Sequence, residues 1–132
     1  MRRLPPSPRF WLAAFLLWFG VLWVLSSFAI AGPETPPVTH FDKVAHFGFF
    51  FGGSGLLTAF FYRLNPGQPN WKLLFIGVVG VLAAVGALDE WRQSHVPGRS
   101  GNDLADWLAD VTGAVSGCFV FKAIHHRLKW FS

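Results

Sequence analysis

Residues 71–94 read WKLLFIGVVGVLAAVGALDEWRQS. From Leu73 to Leu88 there is no charge, and then Asp89, Glu90 and Arg92 arrive together. At about 1.5 Å of rise per residue, a helix over this stretch is about 36 Å long, enough to cross a hydrocarbon core of about 30 Å. A helix at the surface of a soluble domain would interrupt so long an apolar run with polar residues on its outer face. The stretch therefore predicts a transmembrane helix whose last turns carry ionisable groups at one membrane face.

The rest of the chain repeats this pattern. Its 132 residues suit one domain, and they are 52% hydrophobic and 14% charged, with 15 Phe and 7 Trp. A soluble domain carries about a quarter charged residues. Apolar blocks predict four transmembrane helices over about 10–31, 41–64, 71–94 and 103–124, an all-α four-helix bundle in one membrane domain spanning 1–132. Arg2, Arg3 and the Ala29-Ile30-Ala31 triplet resemble a cleaved signal peptide, but the first block exceeds the usual apolar core of about 7–15 residues, so a retained helix is expected. Asn65 to Asn70, rich in Pro and Gly, reads as a turn, and Val96 to Gly101 as a second loop. Asn102 or Asp103 is placed to cap the fourth helix.

The net charge of +4 does not point to nucleic acid, because the basic residues flank apolar blocks. With four spans, Arg2, Arg3, Arg9, Arg63, Lys72, Lys122, Arg127 and Lys129 fall on one side, against Lys43, Arg92 and Arg99 on the other. The positive-inside rule then predicts cytoplasmic N- and C-termini. All seven acidic residues fall toward the opposite face: Glu34, Asp42, Asp89, Glu90, Asp103, Asp106 and Asp110. The single Cys118 lies inside an apolar block, where a thiol is expected to be buried and inert. Gly48/Gly52 and Gly113/Gly117 form two GxxxG patterns, and Gly77, Gly80, Ala83, Ala84, Gly86 and Ala87 crowd the third helix. These predict packing seams, since small residues let helices approach closely in lipid. Trp11, Trp71 and Trp130 suit interfacial anchoring, and His125-His126 an interfacial basic tail.

The acidic side is where chemistry is expected. Asp42 and His46 share a face at i and i+4, with Lys43 adjacent. Glu90 and Gln93 share a face of the third helix. Asp103, Asp106 and Asp110 form one stripe on the fourth, continuing into Gly113 and Gly117. His46 sits about one turn, roughly 6 Å, inside its helix, and Glu90 at a similar depth from its end. Asp110 cannot be moved out to water. If the fourth helix began after it, about 14 residues would remain before the basic tail, too few to span. An acidic group at that depth must face the bundle interior or a wet cavity.

One reading of the cluster is a polar lock between helices. The other is a site, in which His46, Glu90, Asp106 and Asp110 are the acid–base groups, since gathered carboxylates and an imidazole suit proton transfer. Asp42, Lys43, Gln93 and Arg99 would bind substrate, and the guanidinium fork of Arg99 suits an anionic group, unless it pairs with Asp103 or Asp106. No cofactor is fixed by the sequence. His46 with Glu90, Asp106 and Asp110 offers divalent-metal donors, but no single segment has metal-ligand spacing, so no metal ligand is assigned.

Three short motifs resemble those of VanZ-like membrane proteins: Asp42-Lys43-Val44-Ala45-His46-Phe47; Asp89-Glu90-Trp91-Arg92-Gln93 continuing through Pro97-Gly98-Arg99; and Asp106-Trp107-Leu108-Ala109-Asp110 followed by Gly113. The resemblance covers about 42–117. The loop between Arg99 and Asp106 carries one residue more than that pattern, around Asn102-Asp103, so Asp106 and Asp110 are the positions carried over. The resemblance implies a multi-pass protein of the bacterial inner membrane, related to proteins linked with resistance to the glycopeptide teicoplanin. The expected function is an enzyme, a hydrolase or transferase, acting on a lipid head group or lipid-linked envelope precursor at the outer leaflet. A lipid- or lipoglycopeptide-binding accessory protein without chemistry is the second expectation. A proton-coupled carrier is the third, disfavoured because the polar groups are confined to one side. The expected partner is a membrane lipid or lipid-linked precursor, not a nucleic acid, with no expectation for the oligomeric state.

Overall fold

The computed structural model describes residues 7–26, 39–65, 68–95 and 104–127, with side chains throughout except at 25–26 and 39–42. They form α1 (Pro8–Ser26), α2 (Thr39–Leu64), α3 (Trp71–Gln93) and α4 (Leu104–Ile124), closed by one 3₁₀ turn at His125–Arg127, with no strand among the described residues. Three stretches, Lys43–Leu64, Trp71–Gln93 and Leu104–Arg127, are long and apolar enough to cross a membrane. The described apolar part of α1, Pro8–Val24, is shorter. The four expected helices are therefore present. The first starts at Pro8 and is described only to Ser26, so the expected stretch 27–31 lies outside the described residues, as does the Asn102/Asp103 cap.

The helices are apolar on the outside as well as the inside. α3 buries Leu74, Val78 and Leu82 while Leu73, Ile76, Val81 and Leu88 stand exposed. Such an element is stable only where its outer face meets hydrocarbon or further protein. Membrane character is thus written on the surface of the bundle, not only in its composition.

α2 is the central helix. Its most extensive interface is with α4, it also carries α1 on one flank, and α3 packs mainly against α4. The α2–α4 closeness comes from glycine. A Cβ at Gly113 would collide with the Phe47 carbonyl oxygen, and one at Gly117 would come within 2.6 Å of the Phe51 carbonyl oxygen. Side chains there would push the helices apart and forfeit dispersion contacts along the seam. Ser54 Oγ donates to the Ala114 carbonyl at 2.6 Å and lies 3.3 Å from Cys118 Sγ. Cys118 is fully buried, as expected. Gly48 corrects the seam expectation: space around its Cα is open, whereas Gly52 faces Trp18 of α1.

α1 is tied on by its own tryptophans. Trp18 Nε1 donates to the Phe49 carbonyl at 2.7 Å. Both terminal nitrogens of Arg92 donate to the Trp23 carbonyl, at 3.1 and 2.9 Å, and the guanidinium lies over the Trp23 ring. A carbonyl in the last turns of a helix lacks an intrahelical donor, so a cation there satisfies it and the helix dipole together. Trp11 was expected at the interface but is buried in the core at 8% exposure. At the start of α3, Asn70 accepts from the Leu73 N–H at 3.2 Å and caps the helix. Tyr62, Trp71 and Phe121 gather around His125, with ring centroids 5.0 to 5.8 Å from it.

Candidate functional site

The buried stripe of each core helix changes character at the same end of the bundle. On α3, Leu74, Val78, Leu82 and Gly86 lead into Asp89, Glu90 and Gln93. On α4, Phe121, Cys118, Gly117, Ala114 and Gly113 lead back into Asp110 and Asp106. On α2, Leu57, Ser54 and Phe50 lead to His46. Helical spacing keeps each series on one face, so the packing that seats the apolar members also carries the polar members inside.

His46 is the hub. Its Nδ1 lies within hydrogen-bond distance of Asp110 Oδ1, at 2.8 Å, and 3.9 Å from Glu90 Oε1. Its Nε2 lies 3.8 Å from Asp106 Oδ2. One imidazole therefore touches carboxylates from two other helices, on both sides of the ring. Lys43, one turn earlier on α2, places Nζ 3.4 Å from Asp106 Oδ1, and its side chain remains 34% exposed. Asp106 thus stands between a buried imidazole and a cation that reaches outward.

The expected acid–base residues His46, Glu90, Asp106 and Asp110 are brought together and all are buried, with Asp110 at 0% exposure. Lys43 joins them. Gln93 is buried too, but its partner is Asp89: Gln93 Nε2 donates to Asp89 Oδ2 at 2.7 Å. Asp89 is the residue that sequence reasoning left out of the site. It is 1% exposed, and one of its carboxylate oxygens belongs to a cluster with His46 and Glu90. The signal was its i, i+4 spacing to Gln93, which places the two on one face as surely as the three-residue spacing from Glu90. The Asp42 side chain, Arg99 and Asp103 lie outside the described residues.

Two further details fix the site. A Cβ at Gly86 would come 2.8 Å from Asp110 Oδ2, so the absence of a side chain there makes room for that carboxylate. Trp107 Nε1 donates to the Ala83 carbonyl at 3.0 Å and locks α4 against α3 beside the acidic stripe. Among the described residues, Asp110 Oδ2 is buried and accepts no hydrogen bond. Ionised groups out of water are costly unless paired or bound to a cation. So dense a carboxylate–imidazole set can hold a proton, a cation or an anionic group bridged through Lys43. An apolar groove of about 280 Å³, lined by Trp11, Phe51, Gly55, Leu56 and Val120, lies away from these polar residues and offers them no chemistry.

The chain matches no protein-family model, no curated protein and no solved structure.

Proposed function

We propose that this chain is a VanZ-like, four-span protein of the bacterial inner membrane, with both termini cytoplasmic, and that its polar cluster works on a lipid head group or lipid-linked envelope precursor at the outer leaflet. The observation that carries the reading is His46, held at Nδ1 by Asp110 and facing Asp106 at Nε2 within a buried site of an apolar bundle. A carboxylate on one ring nitrogen fixes the imidazole and leaves the other to exchange a proton, an arrangement suited to general acid–base catalysis. On this reading His46 and Asp106 move the proton of an attacking hydroxyl or water and of the departing oxygen, during hydrolysis or transfer at a phosphate or ester. Asp110 and Glu90 position the ring, Gln93 orients Asp89, and Lys43, with Arg99 and Asp42, holds the anionic head group. The motif resemblance supplies the link to the envelope and to teicoplanin resistance.

The near-complete burial of the cluster favours a second reading, a protein that binds a lipid or lipoglycopeptide without converting it. Purified protein in vesicles containing radiolabelled phospholipid or lipid-linked precursor separates the two. Head-group release or transfer by the wild type is expected, falling about 10² to 10⁴-fold in His46→Ala and Asp106→Asn, with both variants still folded by circular dichroism. Saturable lipid binding with no product would establish the second reading in place of the first.

A further inference from the structure

The ring of His46 has an inner and an outer side. Nε2 looks toward Asp106, which Lys43 also reaches, whereas Nδ1 looks toward Glu90 and Asp110. We propose that the Nδ1 side is a divalent-cation site, with His46, Asp89 and Glu90 as ligands and Asp110 beside it on the same ring nitrogen. One imidazole nitrogen and one oxygen from each of Asp89 and Glu90 lie within 4.8 Å of one another. Metal–ligand bonds of about 2.0–2.2 Å put two ligands of one ion roughly 3–3.5 Å apart. Nδ1 stands 2.8 Å from Asp110 Oδ1 and 3.9 Å from Glu90 Oε1, on either side of that spacing. A cation can enter with small side-chain adjustments.

A second observation points to a ligand independently. Asp110 is fully buried and its Oδ2 accepts no hydrogen bond among the described residues. That oxygen rests against Gly86, one turn along α3 from Asp89 and Glu90. Gly86 belongs to the same buried stripe of α3 as Asp89 and Glu90. A buried carboxylate oxygen of this kind wants a donor or a cation.

The surrounding bonds have the form that supports metal ligands. Gln93 Nε2 holds Asp89 Oδ2 at 2.7 Å, which orients that carboxylate. With Nδ1 on a cation, the ring proton resides on Nε2 and faces Asp106, and a carboxylate at the far nitrogen is the usual orienting partner of a metal-bound histidine. One imidazole and several carboxylates suit Zn²⁺ or Mn²⁺ and not a thiophilic ion. This inference rests on reading the cluster as the working site but changes the role of His46 there. With Nδ1 on a cation, Nε2 keeps its proton and the ring is a ligand, so proton transfer falls to Asp106. The cation would supply a Lewis acid able to polarise a phosphoryl or carbonyl oxygen.

The test uses the full chain in detergent, stripped with chelator, loaded with Zn²⁺ or Mn²⁺ and desalted. One equivalent of metal per chain is expected by elemental analysis, with a raised thermal unfolding midpoint. Asp89→Asn and Glu90→Gln should each weaken binding at least about tenfold, whereas His125→Ala/His126→Ala, in the tail, should leave it unchanged. In wild type, electron-spin-echo measurements on the Mn²⁺ form should detect a directly bound nitrogen. No retained metal, retention unaffected by both α3 variants, or loss only in the tail variant would overturn the site. Lipid turnover by metal-free protein overturns this inference and keeps the enzymatic reading; a metal-loaded chain without turnover does the reverse.

Discussion

The α2–α4 interface is held in opposite ways at its two ends. In its middle and far half, backbone meets backbone: Gly113 and Gly117 sit against the carbonyls of Phe47 and Phe51, and a serine hydroxyl reaches the Ala114 carbonyl. At the other end the helices meet through His46 and the carboxylates Asp106 and Asp110. Both ends are buried, but only the first is an economical way to hold helices together in lipid. Close packing needs no desolvation of charge, whereas a buried ionic cluster recovers its desolvation cost only with good geometry and full pairing. An expensive arrangement at one end of an interface already secured at the other is easier to account for as a site than as a fastener.

The largest effect should come from the cheap end. Gly117→Leu drives a side chain into the Phe51 carbonyl, 2.6 Å from where its Cβ must go, and into Ser54. Loss of about 3 kcal/mol or more is expected, read as aggregation or a collapsed unfolding midpoint in detergent. If Gly117→Leu is as stable as wild type, the seam does not hold the bundle and the contrast between the ends is lost.

A smaller and more selective effect is expected at the boundary between the ends. Gly86→Ala places a methyl group 2.8 Å from Asp110 Oδ2, so the carboxylate, and His46 bonded to it, must shift by several tenths of an ångström. Stability should fall by about 1 kcal/mol, while the lipid turnover proposed above should fall more steeply, by roughly tenfold or more, because on that reading misplaced acid–base groups lose rate quickly. Equal and slight losses in both would mean that the polar end is only another packing contact.

Much of this arrangement was legible in the sequence, for a simple reason. Helical spacing assigns faces, and long apolar blocks fix depth, so His46, Glu90, Asp106 and Asp110 were forced toward one level before any contact was known. What could not be read are quantities that depend on helix rotation and crossing. Asp89 and Glu90 are neighbours about 100° apart on the helix wheel, and each stands at helical spacing from Gln93, so spacing does not choose between them. At the end of α3 both are buried, and Gln93 bonds Asp89. Arg92 reaching the Trp23 carbonyl, and Trp107 reaching that of Ala83, join helices across 69 and 24 residues, with no periodic signal to announce them. The burial of Trp11 belongs here too, since an aromatic residue near the end of an apolar block looks the same whether it turns toward lipid or core.

The glycine pattern on α2 gives the smallest and sharpest test of that lesson. Gly48 and Gly52 are four residues apart and look equivalent as a GxxxG pair. In the structure a Cβ at Gly48 meets nothing within 4 Å, whereas one at Gly52 would come 2.7 Å from the Trp18 ring. Alanine in a helix is favoured over glycine by about 0.5–1 kcal/mol. Gly48→Ala should therefore be neutral or stabilising by up to about that amount. Gly52→Ala has the same propensity gain, but must displace Trp18, whose Nε1 bonds the Phe49 carbonyl, and should come out less stable than Gly48→Ala. Thermal unfolding of the two variants side by side measures the difference. Equal midpoints would mean that α1 does not hold its place against α2, which would leave the α2–α4 seam as the bundle's main fixed contact.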